Sequence, residues 1–102
     1  MKKVFVARKL LESNEKRMSD IWDVKLNSED KVYSQSELIE LSKDCDGILC
    51  SIVDKFDAET INKLSDKVKI ISNFAVGFGN INIKAAMKKN IGINKRYNRI
   101  FK

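Results

Sequence analysis

The sequence predicts an α/β domain: an open parallel sheet of about five strands with helices on both faces. Strand-like and helix-like pieces alternate along the chain in the order βαβαβαβαβ. Two strand candidates, "GILCSIV" (47–53) and "VKIISNF" (68–74), are unbroken apolar runs, as strands covered on both faces are. Helix-capping residues precede the segments between strands. At 102 residues the chain is long enough for one domain.

The first strand is "KVFVA" (3–7), β-branched and aromatic. Residues 13–21 are polar, with Met18 and Ile21 three apart, and read as a short helix. "WDVKL" (22–26) alternates apolar and polar, as a strand with one open face does. In "YSQSELIELSKDC", Ser34 and Glu37 form a capping box, with Tyr33 and Leu38 at the staple positions around it. The buried strand 47–53 follows. "FDAETINKL" repeats the capping grammar: Asp57 caps while Phe56 and Ile61 staple. After strand 68–74 comes a glycine loop, then "NIKAAMKK" with Asn82 as cap. Asn90 stands where a helix ends in a left-handed residue, and "IGI" (91–93) is a last short strand. In such a sheet ligands sit beyond the carboxyl ends of the strands, so the loops after Ala7, Cys50 and Phe74 carry the functional interest.

Composition excludes several classes. No apolar run approaches a membrane span, and the four apolar residues before Arg8 are too few for a signal peptide. A soluble, cytoplasmic protein without a membrane partner is expected. Cys45 and Cys50 do not match a metal-knuckle spacing, and the sequence has no histidine, so no metal site is expected and both thiols read as reduced and buried. Without histidine, no imidazole acid or base can act from this chain. The net charge of +6 is unevenly spread. Residues 1–83 hold 13 basic and 14 acidic side chains, whereas 84–102 hold seven basic and none acidic. The basicity belongs to one terminal helix and a tail, which is poor support for a nucleic-acid partner.

The loop "AVGFGNIN" (75–82) imitates a dinucleotide fingerprint, G-x-G-x-x-G. Gly77 and Gly79 fill its first two places, but Asn82 takes the third. The expected acidic partner falls in "RYNRIFK", and the fingerprint belongs on a first strand, not a fourth. The cofactor reading therefore fails.

"VKIISNFAVGFGNINIKAAMKKNIGI" instead resembles the end of the substrate domain of D-isomer-specific 2-hydroxyacid dehydrogenases, glyoxylate/hydroxypyruvate reductases in particular. There a strand of the form LKxI(S/A) leads into A-V-G-x-D-N-I-D, a helix and G-I-x-V. "MKKVFVARKLLE" and "CDGILCSIVDKFDAETINKL" resemble the first strand and third βα unit of that domain. The likeness covers residues 1–93 and implies a flavodoxin-like fold. It also implies that Val76 and Gly77 carry backbone N–H groups for a 2-oxo or 2-hydroxy acid's carboxylate, with Ala75 among the substrate-binding residues and Ser51 and Ile52 over the substrate. Successive loop N–H groups form an anion nest, and glycine admits the ligand to the backbone. Gly77 also reads as a plain turn glycine, Ser51 as a strand-end hydrogen-bonder, and Arg8 as a solvated surface charge.

The chain departs from that pattern. The usual Asp after the loop is Gly79, the proline common in the last strand is Gly92, and "NKRYNRIFK" replaces the T-N-T-P-x-V-L-T continuation. The family's NAD or NADP fingerprint and its catalytic Arg, Glu and His would lie downstream. The expectation is a substrate domain (1–93) lacking its completing segment, followed by an atypical basic tail (94–102). On the same expectation the NAD-binding Rossmann domain would be absent, no cofactor would be bound by this chain and no catalytic residue would lie in it. This reads as a truncated or frame-shifted product, with a deliberately small relative left open. Family enzymes are homodimers; this chain would be monomeric, or self-associate through an uncovered apolar sheet face. Tyr97, Ile100 and Phe101, at helical spacing, would partly cover that face. A rival reading is a free-standing flavodoxin-like binding or regulatory module. Its phosphoacceptor version fails, because Arg8 and Cys50–Ser51 stand where acidic residues are needed.

Overall fold

The computed structural model describes residues 1–51, 53–73 and 79–94. Five strands alternate with four helices: β1 (Lys3–Val6), α1 (Glu12–Ile21), β2 (Asp23–Lys25), α2 (Gln35–Ser42), β3 (Gly47–Cys50), α3 (Ala58–Lys63), β4 (Ile70–Asn73), α4 (Ile83–Lys88) and β5 (Gly92–Asn94). Every pairing is parallel, and the strand order is β2-β1-β3-β4-β5. The predicted alternation and parallel sheet are therefore present. The order runs outward one way from β1 to β2 and the other way from β1 through β3 to β5. That reversal makes the gap between β1 and β3 the topological switch point, where open α/β sheets place ligands.

The two sheet faces are built from alternate residues of each strand. Phe5, Ile48 and Ile71 point to one side, into a core with Leu38 of α2, Ile61 of α3 and Ala85 and Ala86 of α4. Val4, Val6 and Leu49 point to the other and meet Met18 of α1, with Trp22 and Val24 beside them. Phe5, Val6, Leu38, Ile61 and Ile71 are essentially inaccessible to water, each burial contributing about 1.5–3 kcal/mol. Among the described residues, the second cluster takes helical residues from α1 alone.

Local chemistry fixes the helix ends. The Ser34 hydroxyl accepts from Glu37 N at 3.2 Å, while the Glu37 carboxylate accepts from Ser34 N at 3.0 Å. Asp57 accepts from Thr60 N at 2.8 Å and Asn82 from Ala85 N at 2.9 Å. Tyr33, Leu38, Phe56 and Ile61, the staple residues, all join the larger core. α1 has no side-chain cap; buried Glu15 reaches back to accept from Leu10 N at 3.2 Å. Asn90 has φ of 61°, the left-handed stop expected there.

Several element boundaries differ from expectation. β3 ends at Cys50 rather than continuing to residue 53, because Asp54 N turns back to Ser51 O at 3.0 Å and the Asp54 carboxylate accepts from Ser51 N at 3.0 Å. That turn ejects Val53, which is 46% exposed, so the apolar run overstated the strand. α3 and α4 span six residues each, shorter than the capping patterns suggested. Both cysteines are free and buried, and burial pushes the Cys45 thiol up to about 11. The expected covering role of Tyr97, Ile100 and Phe101 lies outside the described residues.

Candidate functional site

The residues of interest gather at the carboxyl ends of β1, β3 and β4. β3 and β4 are in register with Cys50 opposite Asn73. The chain therefore leaves the sheet at Ser51 and after Asn73 side by side. Beside them β1 ends at Val6, and Ala7 N still donates to Leu49 O at 2.8 Å. Ser51 lines an open cleft of about 500 Å³ with Arg8, Lys9, Leu10, Leu11 and Asp30.

Ser51 is half-buried and its backbone is fixed on both sides. Its N–H meets Asp54, and its carbonyl accepts from Asp54 N and from Asn80 Nδ2 at 2.9 Å. These backbone bonds pin the end of β3 and hold Ser51 at the cleft. Ala75, Val76, Gly77 and Ile52 lie outside the described residues.

Arg8 corrects the sequence reading. Its side chain is 14% exposed, not solvated. Nε donates to Ala7 O at 2.8 Å and lies 3.6 Å from Asp54, while Nη1 lies 3.3 Å from Asp30 and Nη2 donates to Lys31 O. Two carboxylates and two carbonyls thus surround the guanidinium, which ties β1 to the neighbouring loops. The loop after β2 is held in the same way: buried Asn27 donates to Ala7 O at 3.0 Å and to Lys31 O at 2.8 Å.

Three buried polar residues escaped the sequence reading. Asp54 is fully enclosed, and its Oδ1 has no hydrogen-bond partner. Burial pushes its carboxyl above the ordinary value; the Ser51 N–H and the Arg8 charge pull the other way. Asn73 Nδ2 donates to Asn80 Oδ1 at 2.8 Å, and Asn80 Nδ2 lies 3.2 Å from Asn73 Oδ1. Cys50 Sγ lies 3.6 Å from Asn73 Oδ1. Residue type gave one available signal: polar residues at the ends of buried strands need partners, and only the sheet order shows which.

Chemically this edge offers fixed backbone groups and neutralised charges. Among the described residues, no cluster of three His, Cys, Asp or Glu side chains could hold a metal ion. Among them too, no helix is long and apolar enough to cross a membrane.

An open parallel α/β sheet with this strand order belongs to the doubly wound class, whose ligands sit at the carboxyl edge of the strands. Residues 4–95 match the D-isomer specific 2-hydroxyacid dehydrogenase catalytic domain, and the chain belongs to that family. It is 32% identical over 89 residues to a glyoxylate reductase of Korarchaeum cryptofilum, covering 87% of this chain and 26% of the relative. It is 36% identical over 90 residues to a glyoxylate reductase of Thermofilum pendens, again covering 87% and 26%. A crystal structure of a D-isomer specific 2-hydroxyacid dehydrogenase from Polaromonas superposes with a TM-score of 0.87 at 25% identity, covering 91% of this chain and 29% of the other. An NAD+-bound 3-phosphoglycerate dehydrogenase from Entamoeba histolytica superposes with a TM-score of 0.74 at 28% identity, covering 90% and 32%. The chain therefore spans about a quarter to a third of the length of these relatives.

Proposed function

We propose that this chain is the substrate-binding part of an NAD(P)-dependent oxidoreductase that reduces a small 2-oxo acid, of the glyoxylate or hydroxypyruvate kind, to a D-2-hydroxy acid. In this reading Ala75, Val76 and Gly77 offer backbone N–H groups to the acid's carboxylate, and Ser51 and Ile52 form the facing wall. The observation that carries it is the register of Cys50 with Asn73. Neighbouring parallel strands end together there, which supports a reading in which the chain following each contributes one wall to a shared ligand site. Family membership supplies the chemical class of that ligand.

The chain's own contribution is orientation. A carboxylate gripped by backbone N–H groups holds its adjacent carbonyl carbon in one attitude, which hydride transfer requires. Hydride would come from NADH or NADPH bound by a separate domain, and the proton donor and the cation polarising the carbonyl would belong to that part too. The chain alone then has no dehydrogenase activity.

Titration of the ¹⁵N-labelled chain with glyoxylate, with acetate as a carboxylate control, tests the reading. The amides of Ala75, Val76, Gly77, Ser51 and Ile52 should move together with glyoxylate. Shifts confined elsewhere, or identical with acetate, count against it. Oxidation of NADH or NADPH by the pure chain with glyoxylate would overturn the claim that it is inactive alone.

A further inference from the structure

Asn80 is 8% exposed, and its side chain joins three stretches of chain. Its Nδ2 donates to Ser51 O at 2.9 Å and to Asp54 O at 2.9 Å, both in the turn between β3 and α3. The same nitrogen lies 3.2 Å from Asn73 Oδ1, and Asn80 Oδ1 accepts from Asn73 Nδ2 at 2.8 Å. The Asn80 carbonyl accepts from Phe56 N at 2.7 Å, and Asn82 N donates to Phe56 O at 2.8 Å, so a short parallel bridge extends the link. Asn73 precedes residues 74–78 and Asn80 follows them. One side chain therefore ties both flanks of that segment to the turn that carries Ser51.

We propose that Asn80 is a positioning residue: it clamps the β3–α3 turn, and Ser51 with it, against the chain on either side of residues 74–78. This rests on the carboxylate-binding role given to that segment above. With the clamp closed, the turn carrying Ser51 keeps one spacing from Asn73 and Asn80; with it open, that turn moves independently of them.

The chemistry leaves little choice of residue. The position needs a donor with two hydrogens aimed at two carbonyls, and an acceptor beside it for Asn73, all one methylene from the backbone. An aspartate would turn carboxylate oxygens toward two carbonyl oxygens. A glutamine would overshoot by a methylene, and a serine would supply a single donor. The bond to Asp54 O is buried, so its loss costs the desolvation of that carbonyl, whereas Ser51 O keeps its bond from Asp54 N.

The test compares wild type with Asn80→Ala by amide hydrogen exchange and by glyoxylate titration. Exchange of the Asp54 and Phe56 amides should rise at least about tenfold, while amides of β1 and β4 change by less than about twofold. The glyoxylate dissociation constant should rise at least about tenfold. A uniform rise across all amides, as a purely global loss of stability gives, would overturn the proposal, as would an unchanged affinity in a variant whose turn has loosened. Should Asn80→Ala fail to hold the sheet, Asn80→Ser keeps one donor and should show the same local pattern more weakly. Should neither fold, wild type decides: saturating glyoxylate should slow exchange at Asp54 and Phe56, and no slowing refutes the clamp. If wild type binds no glyoxylate, the substrate reading fails by itself, and the exchange comparison, which needs no ligand, still decides whether Asn80 holds the turn.

Discussion

Arg8 Nε lies 3.6 Å from the Asp54 carboxylate, and that carboxylate is fully enclosed by protein. The pair joins the end of β1 to the turn after β3, across the switch point of the sheet. Burial nevertheless outweighs the cation, since the Asp54 carboxyl is raised above its ordinary value of 3.8. A carboxyl raised in the folded state favours folding while protonated, and that advantage is lost as pH rises through the folded value. Asp54→Asn stays neutral and keeps an acceptor for Ser51 N. Its stability relative to wild type should therefore grow as pH rises from about 4 through the raised value, and then level off. Urea midpoints of both proteins across the acid range measure this. A gap that shrinks with rising pH would mean that pairing with Arg8, not burial, dominates.

Lys89 shows that the basic end of the chain is partly structural. Its ammonium donates to Ile61 O at 3.2 Å, to Asn62 O at 3.0 Å and to Leu64 O. All three carbonyls lie at the carboxyl end of α3, where unsatisfied C=O groups and the helix dipole favour a cation. Lys89→Met keeps the apolar stem and removes the charge. It should cost about 1–2 kcal/mol, read as a lower urea midpoint with unchanged slope. Lys89→Arg should recover only part of this, because a planar fork cannot aim three donors at one point. A fully stable Lys89→Met protein would show that these bonds merely replace bonds to water.

The fold was legible in the sequence because its signals are local. Ser34 with Glu37, Asp57 and Asn82 each announce a helix start from within four residues, and unbroken apolar runs announce buried strands. What depends on which strands are neighbours was hidden. Arg8 looked solvated because its two carboxylate neighbours, Asp30 and Asp54, are 22 and 46 positions away in the chain. The Asn73–Asn80 pair was not read from the sequence, since a side chain's partner across a loop leaves no periodic trace. Residue 53 was assigned to a strand because Ile52 and Val53 are apolar, and only the Asp54 turn explains why β3 stops at Cys50. Ser51 stands at the carboxyl edge where the sequence put functional interest, while the partners that fix it needed the structure.

Asn90 closes α4 at φ of 61°, a conformation that asparagine tolerates and glycine adopts freely. Asn90→Gly should leave stability within about 0.5 kcal/mol of wild type. Asn90→Val should cost about 1–2 kcal/mol, since a β-branched side chain clashes with its own backbone there. Thermal or urea unfolding of the pair gives the contrast directly. Equal stability of the two would mean that the helix end shifts by a residue to avoid the strain.

Gly79 stands where the family pattern carries Asp, yet the backbone there makes no use of glycine. Its φ is not positive, and a Cβ built on it meets no atom within 4 Å. Glycine at such a position only enlarges the conformational freedom of the unfolded chain. Gly79→Ala should therefore stabilise by about 0.4–1 kcal/mol. Gly79→Asp should fold equally well, with its carboxylate in the open beside the Asn80 clamp rather than inside it. If the clamp acts through Asn80 alone, Gly79→Asp leaves the exchange rates of the Asp54 and Phe56 amides unchanged. A slowing at those two amides would instead show that the family's Asp reinforces the same link, and that this chain folds with that reinforcement removed.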